Sequence, residues 1–313
     1  MKSILCALGS LALGLQAGSW EAWAKEHAFA IETTAEARVL LLHEKKQSAS
    51  RQLRAIARSV QAFDDLIDPR EGQAEAAPVA LIELPDARAL SELNATLSAQ
   101  YAHLAGWKAG GYGFVLEQPL VGAWLARAPE LKEWKAENEL VNRLACLLLT
   151  ERHGRLPQWL ALGLAWQVES SVCKSIYCFP YRSGFVSKTE HKGWAKELAA
   201  MIAERGEAPL TMEQLDGWAR GVWDDAHAAL AWGAGAMLAD HYGEELPRVL
   251  AALAALRDSE GRTTGADGLW EGIPNYEIGP DEQVAILERE LGVDFLAELA
   301  RFCRLGRGYR RPR

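Results

Sequence analysis

Apolar positions in the first third of the chain alternate between two periods. His27 to Glu32 reads as a strand, and Thr33-Thr34-Ala35-Glu36 then has the spacing of a capping box that opens a helix. Val39, Leu42, Leu53, Ile56, Val60, Phe63 and Leu66 keep near-helical spacing, so that helix is expected to run to about Ile67. The turn that starts at Asp68-Pro69 ends it, and Val79 to Leu84 reads as a buried strand. Pro85-Asp86 begins another helix towards Tyr101. After Gly110-Gly111 a further strand is expected over Gly113 to Glu117. From about residue 125 the pattern is helical only, near 130–152, 157–170, 191–205, 211–219, 223–242, 244–257 and 281–303. The expected class is α+β: an α/β lobe over 25–125 and a mostly helical lobe over 126–313.

The first residues have a different pattern. Lys2 precedes an apolar run from Ile4 to Leu15, and Ala22-Trp23-Ala24 offers an A-x-A site, so residues 1–24 read as a secretory signal. The run is too short to cross ~30 Å of hydrocarbon, and no other stretch is longer. The expectation is an exported protein, periplasmic or secreted, without a transmembrane span. Its net charge of −8 and pI near 5.5 argue against nucleic acid as a partner.

Histidine spacing excludes the commonest metal motifs. No two of the seven histidines lie closer than His227 and His241, so no H-E-x-x-H or H-x-H exists. Phosphate-binding loops, dinucleotide fingerprints and nucleophile elbows are also missing. Without the signal the cysteines are Cys146, Cys173, Cys178 and Cys303. Four cysteines allow three connectivities in an oxidising compartment. Cys173 and Cys178 bracket a short loop and are the candidate local disulfide; four buried free thiols are the alternative.

Two segments remain: Glu139-Leu-Val-Asn-Arg-Leu-Ala-Cys146, and Leu156-Pro157-x-Trp159-Leu160-x-x-Gly163-Leu164-Ala165. Together they resemble the active-site helix pair of the gluzincin metallopeptidases, the thermolysin-like group with a peptidase-MA-like fold. The order of strands and helices before the motif, and the helices after it, resemble that group as well. The resemblance implies a zincin-like N-terminal lobe packed on a helical one. It also places Asn142 at the first zinc histidine, Arg143 at the general base, Cys146 at the second histidine and Leu162 at the third ligand.

Every position that the chemistry needs is therefore substituted. A catalytic zinc requires three protein ligands and an open position. Leu162 cannot ligate, Asn142 is a poor donor, and the fixed cation of Arg143 repels a metal and accepts no proton. The resemblance implies a degenerate peptidase with no metal, no cofactor and no catalytic residue. Its former cleft would bind a peptide or a cell-envelope component. A structural protein with a closed cleft, or a hydrolase with a rearranged site, are the alternatives. Glu169, Arg182, Glu190 and His191 are candidate cleft residues, although the loop carrying Arg182 reads equally well as a cover. The many tryptophans read as core. The run Arg301, Arg304, Arg307, Arg310, Arg311 and Arg313 reads as a solvated end, with contact to anionic envelope polymers or lipid headgroups as the functional alternative. An arginine at the base position needs a carboxylate, and Glu139, one turn earlier, is the expected partner.

Overall fold

The computed structural model describes residues 20–34, 39–45, 48–68, 79–107, 111–130, 133–178, 188–216, 225–256 and 278–311. The chain is a mixed α/β protein that divides into two compact units. One comprises residues 1–60 and 72–151, the other 61–71 and 152–313.

The first unit is built on a five-stranded sheet. Its strands are β1 (Phe29–Thr34), β2 (Val39–Glu44), β3 (Val79–Leu84), β4 (Gly113–Glu117) and β5 (Leu120–Leu125), ordered β1-β2-β3-β5-β4. The three central strands β2, β3 and β5 run parallel, while β1 and β4 close the edges as antiparallel hairpins. Parallel strands are covered on both faces and so read as continuous apolar runs. All six residues of β3 are accordingly buried.

The same fact explains two departures from the sequence reading. Val39 to Glu44 is a strand where a helix was expected. Leu120 to Leu125 is a strand that the pattern did not reveal. Val39-Leu40-Leu41-Leu42 and Leu120-Val-Gly-Ala-Trp-Leu125 are short apolar runs buried on both sides, and such runs carry no period of two. The helix begins only at Ser50.

Helix α1 (residues 20–26) and α3 (Ala87–Gln100) belong to one face of the sheet. There Trp20, Trp23, Leu93 and Leu97 pack with Leu42, Ile82, Leu84, Val121 and Ala123. Asp86 caps α3, its carboxylate accepting from the Ala89 N–H at 2.9 Å. The alternate residues Leu81, Glu83, Gly122 and Trp124 point the other way, towards α2 (Ser50–Leu66) and α4 (Ala136–His153). Arg51 and Arg58 on α2 both pair with Glu137 at the start of α4. Burial raises the Glu137 carboxyl, but the two guanidiniums outweigh it and hold it below its ordinary value.

The second unit is helical: α5 (Gln158–Cys173), α6 (Lys188–Glu204), α7 (Met212–Asp216), α8 (Asp225–His241), α9 (Leu246–Ala255), α10 (Pro280–Leu291) and α11 (Phe295–Leu305). Its most extensive pairing is α5 on α8, where two glycines meet. A Cβ at Gly163 would lie 2.3 Å from the Ala231 carbonyl oxygen, and one at Gly235 would lie 2.5 Å from the Gly163 carbonyl group. The backbones touch, so neither position has room for a side chain.

Gly163→Ala and Gly235→Ala should each lower stability by about 2 kcal/mol in urea unfolding, because the overlap outweighs the ~1 kcal/mol of helix propensity gained. Gly233→Ala is the control. Its Cβ would meet the mobile end of Leu198 at 2.8 Å, and the expected change is below about 1 kcal/mol.

Candidate functional site

Helix α4 carries Glu139, Asn142, Arg143 and Cys146 at helical spacing. Asn142 is buried and Cys146 half-buried. They lie one turn apart, the Cys146 thiol pointing at the Asn142 Oδ1 across 3.9 Å. The Thr150 hydroxyl donates to the Cys146 carbonyl at 3.1 Å.

Arg143 lies against the sheet. Its Nε donates to the Ala123 carbonyl on β5 at 2.8 Å, and its Nη1 is in direct ion-pair contact with the Glu139 carboxylate. Only 11% of the arginine side chain and 4% of the glutamate side chain remain exposed. The expected partnership is therefore present. The Arg143 cation is neutralised within its own helix and tied to a strand.

On α5, the residues of the resembling signature are core residues. Leu156, Trp159, Leu160, Leu164 and Ala165 are buried, and so is Leu162. The Trp159 indole N–H donates to Gln283 Oε1 at 2.8 Å. Gln283 in turn donates to Asp216 at 2.8 Å and to the Ile278 carbonyl at 2.6 Å. A buried indole N–H needs a partner, and this amide supplies it.

The candidate cleft residues do not share one environment. Glu169 is fully buried. Its carboxylate accepts the backbone N–H groups of Tyr177 at 2.6 Å and Cys178 at 3.2 Å, which ties the segment after α5 back onto the helix. It is an anchor rather than a cleft wall. His191 is half-buried, edge-on to Trp194 at 5.4 Å and Trp232 at 5.8 Å. Burial first, and Lys192 second, hold its imidazole below the ordinary value, so it is neutral at pH 7. Arg182 and the Glu190 side chain lie outside the described residues.

Cys173 and Cys178 do not form the expected disulfide, and none of the four described cysteines is disulfide-bonded. Cys178 is positioned without a bridge. Glu169 holds its N–H, and its carbonyl accepts the Trp166 indole N–H at 2.7 Å. Burial pushes the Cys303 thiol up to about 12, so it is inert at neutral pH.

Two clusters escaped the sequence reading. In the second unit, His153 Nε2 lies 3.0 Å from Asp68 Oδ2. Beside it Arg152 pairs with Asp64 at 2.6 Å, donates to the Asp68 carbonyl at 2.5 Å, and stacks over the Phe63 ring. These pairs join positions more than eighty residues apart, and no local pattern marks them. The second cluster lies in the C-terminal run, where Arg304, Arg310 and Arg311 are exposed, as expected of a solvated end, while a few contacts tie the run to its own unit. Tyr309 is buried, Arg311 pairs with Glu245 at 2.5 Å over the Tyr242 ring, and Arg301 pairs with Glu298 at 2.8 Å.

Among the described residues, no group of three or more His, Cys, Asp or Glu is placed to hold a metal ion. No protein-family model matches the chain, and no curated protein is significantly similar to it.

Arg143→Glu should destabilise the protein by about 3–5 kcal/mol, since it places two buried carboxylates one turn apart. Replacing both Glu139 and Arg143 with leucine should cost less than either single leucine substitution. A thermal-unfolding double-mutant cycle measures both; additive losses would show that the pair is not coupled. Denatured without reductant, the chain should titrate all of Cys146, Cys173, Cys178 and Cys303 as thiols.

Proposed function

We propose that this is an exported, non-catalytic protein of gluzincin-like build, with a zincin-like α/β lobe and a mostly helical lobe. Its ligand is a peptide or a cell-envelope component, bound in the cleft that holds substrate in the resembled peptidases. The observation that carries the reading is the state of Arg143. A general base must present a free carboxylate to water. Here that position carries a guanidinium engaged by Ala123 and Glu139. The neighbouring positions support the same view, because Asn142 and Cys146 face each other as a polar pair and Leu162 is apolar.

A structural protein with a closed cleft is the second reading. The full burial of Glu169, on the helix that would border the cleft, favours it. Binding separates the two, since a closed cleft takes no peptide.

The purified protein should hold zinc well below one equivalent, and it should show no chelator-sensitive hydrolysis of an unfolded protein substrate. Stoichiometric zinc with chelator-sensitive activity would overturn the proposal in favour of a rearranged active site. Titration with a library of unstructured peptides then distinguishes a binding cleft, which gives saturable binding, from a closed one, which gives none.

A further inference from the structure

Two places soon after the apolar run carry small residues two positions apart, as removal of a leader requires. One is Ala22-Trp23-Ala24. The other is Ala17-Gly18-Ser19, just past the apolar run that ends at Leu15. The pattern alone favours the first, and the packing of the first unit favours the second.

Residues 20–26 form a helix whose apolar side is part of the core. Trp20 and Trp23 are 3% and 4% exposed, and Ala24 is 2% exposed. The Trp23 ring stacks on His27 at 4.6 Å and packs on Phe29 of β1 at 5.0 Å, with Trp20 edge-on to it at 6.3 Å. Its carbonyl accepts the His27 N–H at 3.0 Å. Both rings belong to the same core cluster as Leu42 of β2 and Leu93 and Leu97 of α3. A chain beginning at Lys25 would lack both indoles. The sheet face beside Phe29 would then be an open apolar cavity, and cavities left by lost aromatic side chains are among the most damaging changes to a core. Leaders are discarded; residues that fill a core are not.

We infer that the leader is removed between Ser19 and Trp20, so that the mature domain begins at Trp20. This inference rests on the export reading above. In the cleavage, water adds across the Ser19–Trp20 amide: its hydroxyl goes to the Ser19 carbonyl carbon and its proton to the Trp20 nitrogen. The product is a leader ending in a carboxylate and a mature chain with a new α-amino group. Ala17 and Ser19 supply the small side chains, and the cut keeps both buried indoles in the chain.

The test is the N-terminal sequence and intact mass of the protein recovered from the periplasm of a host that expresses it with its own N-terminus. The expected first residue is Trp20. A first residue of Lys25 overturns the inference and leaves export standing, whereas a chain that keeps Met1 overturns both. A second arm needs no export. Chains produced without a leader, one starting at Trp20 and one at Lys25, are compared by thermal unfolding. The shorter chain should melt lower by about 15 °C or more, or fail to fold. Equal melting temperatures would overturn the inference, because Trp20 and Trp23 would then be dispensable to the core.

Discussion

A guanidinium held against the face of a β-sheet is the constraint on which the first unit depends. Arg143 has almost no water around it, and an unpaired charge so placed costs several kcal/mol. Three features make the position tolerable. Glu139 neutralises it from the previous turn, and the Ala123 carbonyl accepts its Nε–H. Two strand positions also lack side chains. A Cβ at Gly113 would sit 2.7 Å from an Arg143 nitrogen, and one at Gly122 would sit 3.1 Å from its Cβ. These four residues, from two strands and one helix, form a single device that seats α4 on the sheet. The seat fixes which face of α4 is left for Asn142 and Cys146.

The second unit depends on a different contact, and it alters the meaning of the motif that carries the resemblance. The backbones of α5 and α8 touch at Gly163 and Gly235, so Gly163 is required by packing alone. Trp159 is required by its bond to the buried Gln283, and Leu160, Leu164 and Ala165 by burial. Trp159, Leu160, Gly163, Leu164 and Ala165 thus each have a mechanical reason to be there, one that needs no metal.

Legibility in the sequence followed the range of the interaction. The strand over 79–84, the helices α5 to α9 and the Arg143–Glu139 pair are set by neighbours within a turn or two, and their spacing exposes them. The single helix expected over 281–303 is instead split at the left-handed Gly292 into α10 and α11. β2 and β5 were hidden because strands buried on both faces lose their alternation. The Asp68–His153 contact and the Arg152–Asp64 pair were hidden because they are made by the chain's return, and charge pattern alone does not show a return. The burial of Glu169 followed from a backbone segment folding onto its carboxylate, and no spacing foretold it.

The same folding back bears on what the protein attracts. The C-terminal arginines are the most basic stretch of an acidic chain, and an extended tail would offer them to anionic polymers or lipid headgroups. Arg301 is instead paired with Glu298 and bonded to the Arg310 carbonyl, while Arg311 is held by Glu245 and the Tyr242 ring. Tyr309, buried between His241 and Phe302, pins the segment in place. Arg301 and Arg311 thus answer acids of the same unit, while Arg304 and Arg310 are exposed, and the chain as a whole carries a net charge of −8. An anionic envelope polymer would approach against the field of the whole protein, and a neutral or basic peptide would not.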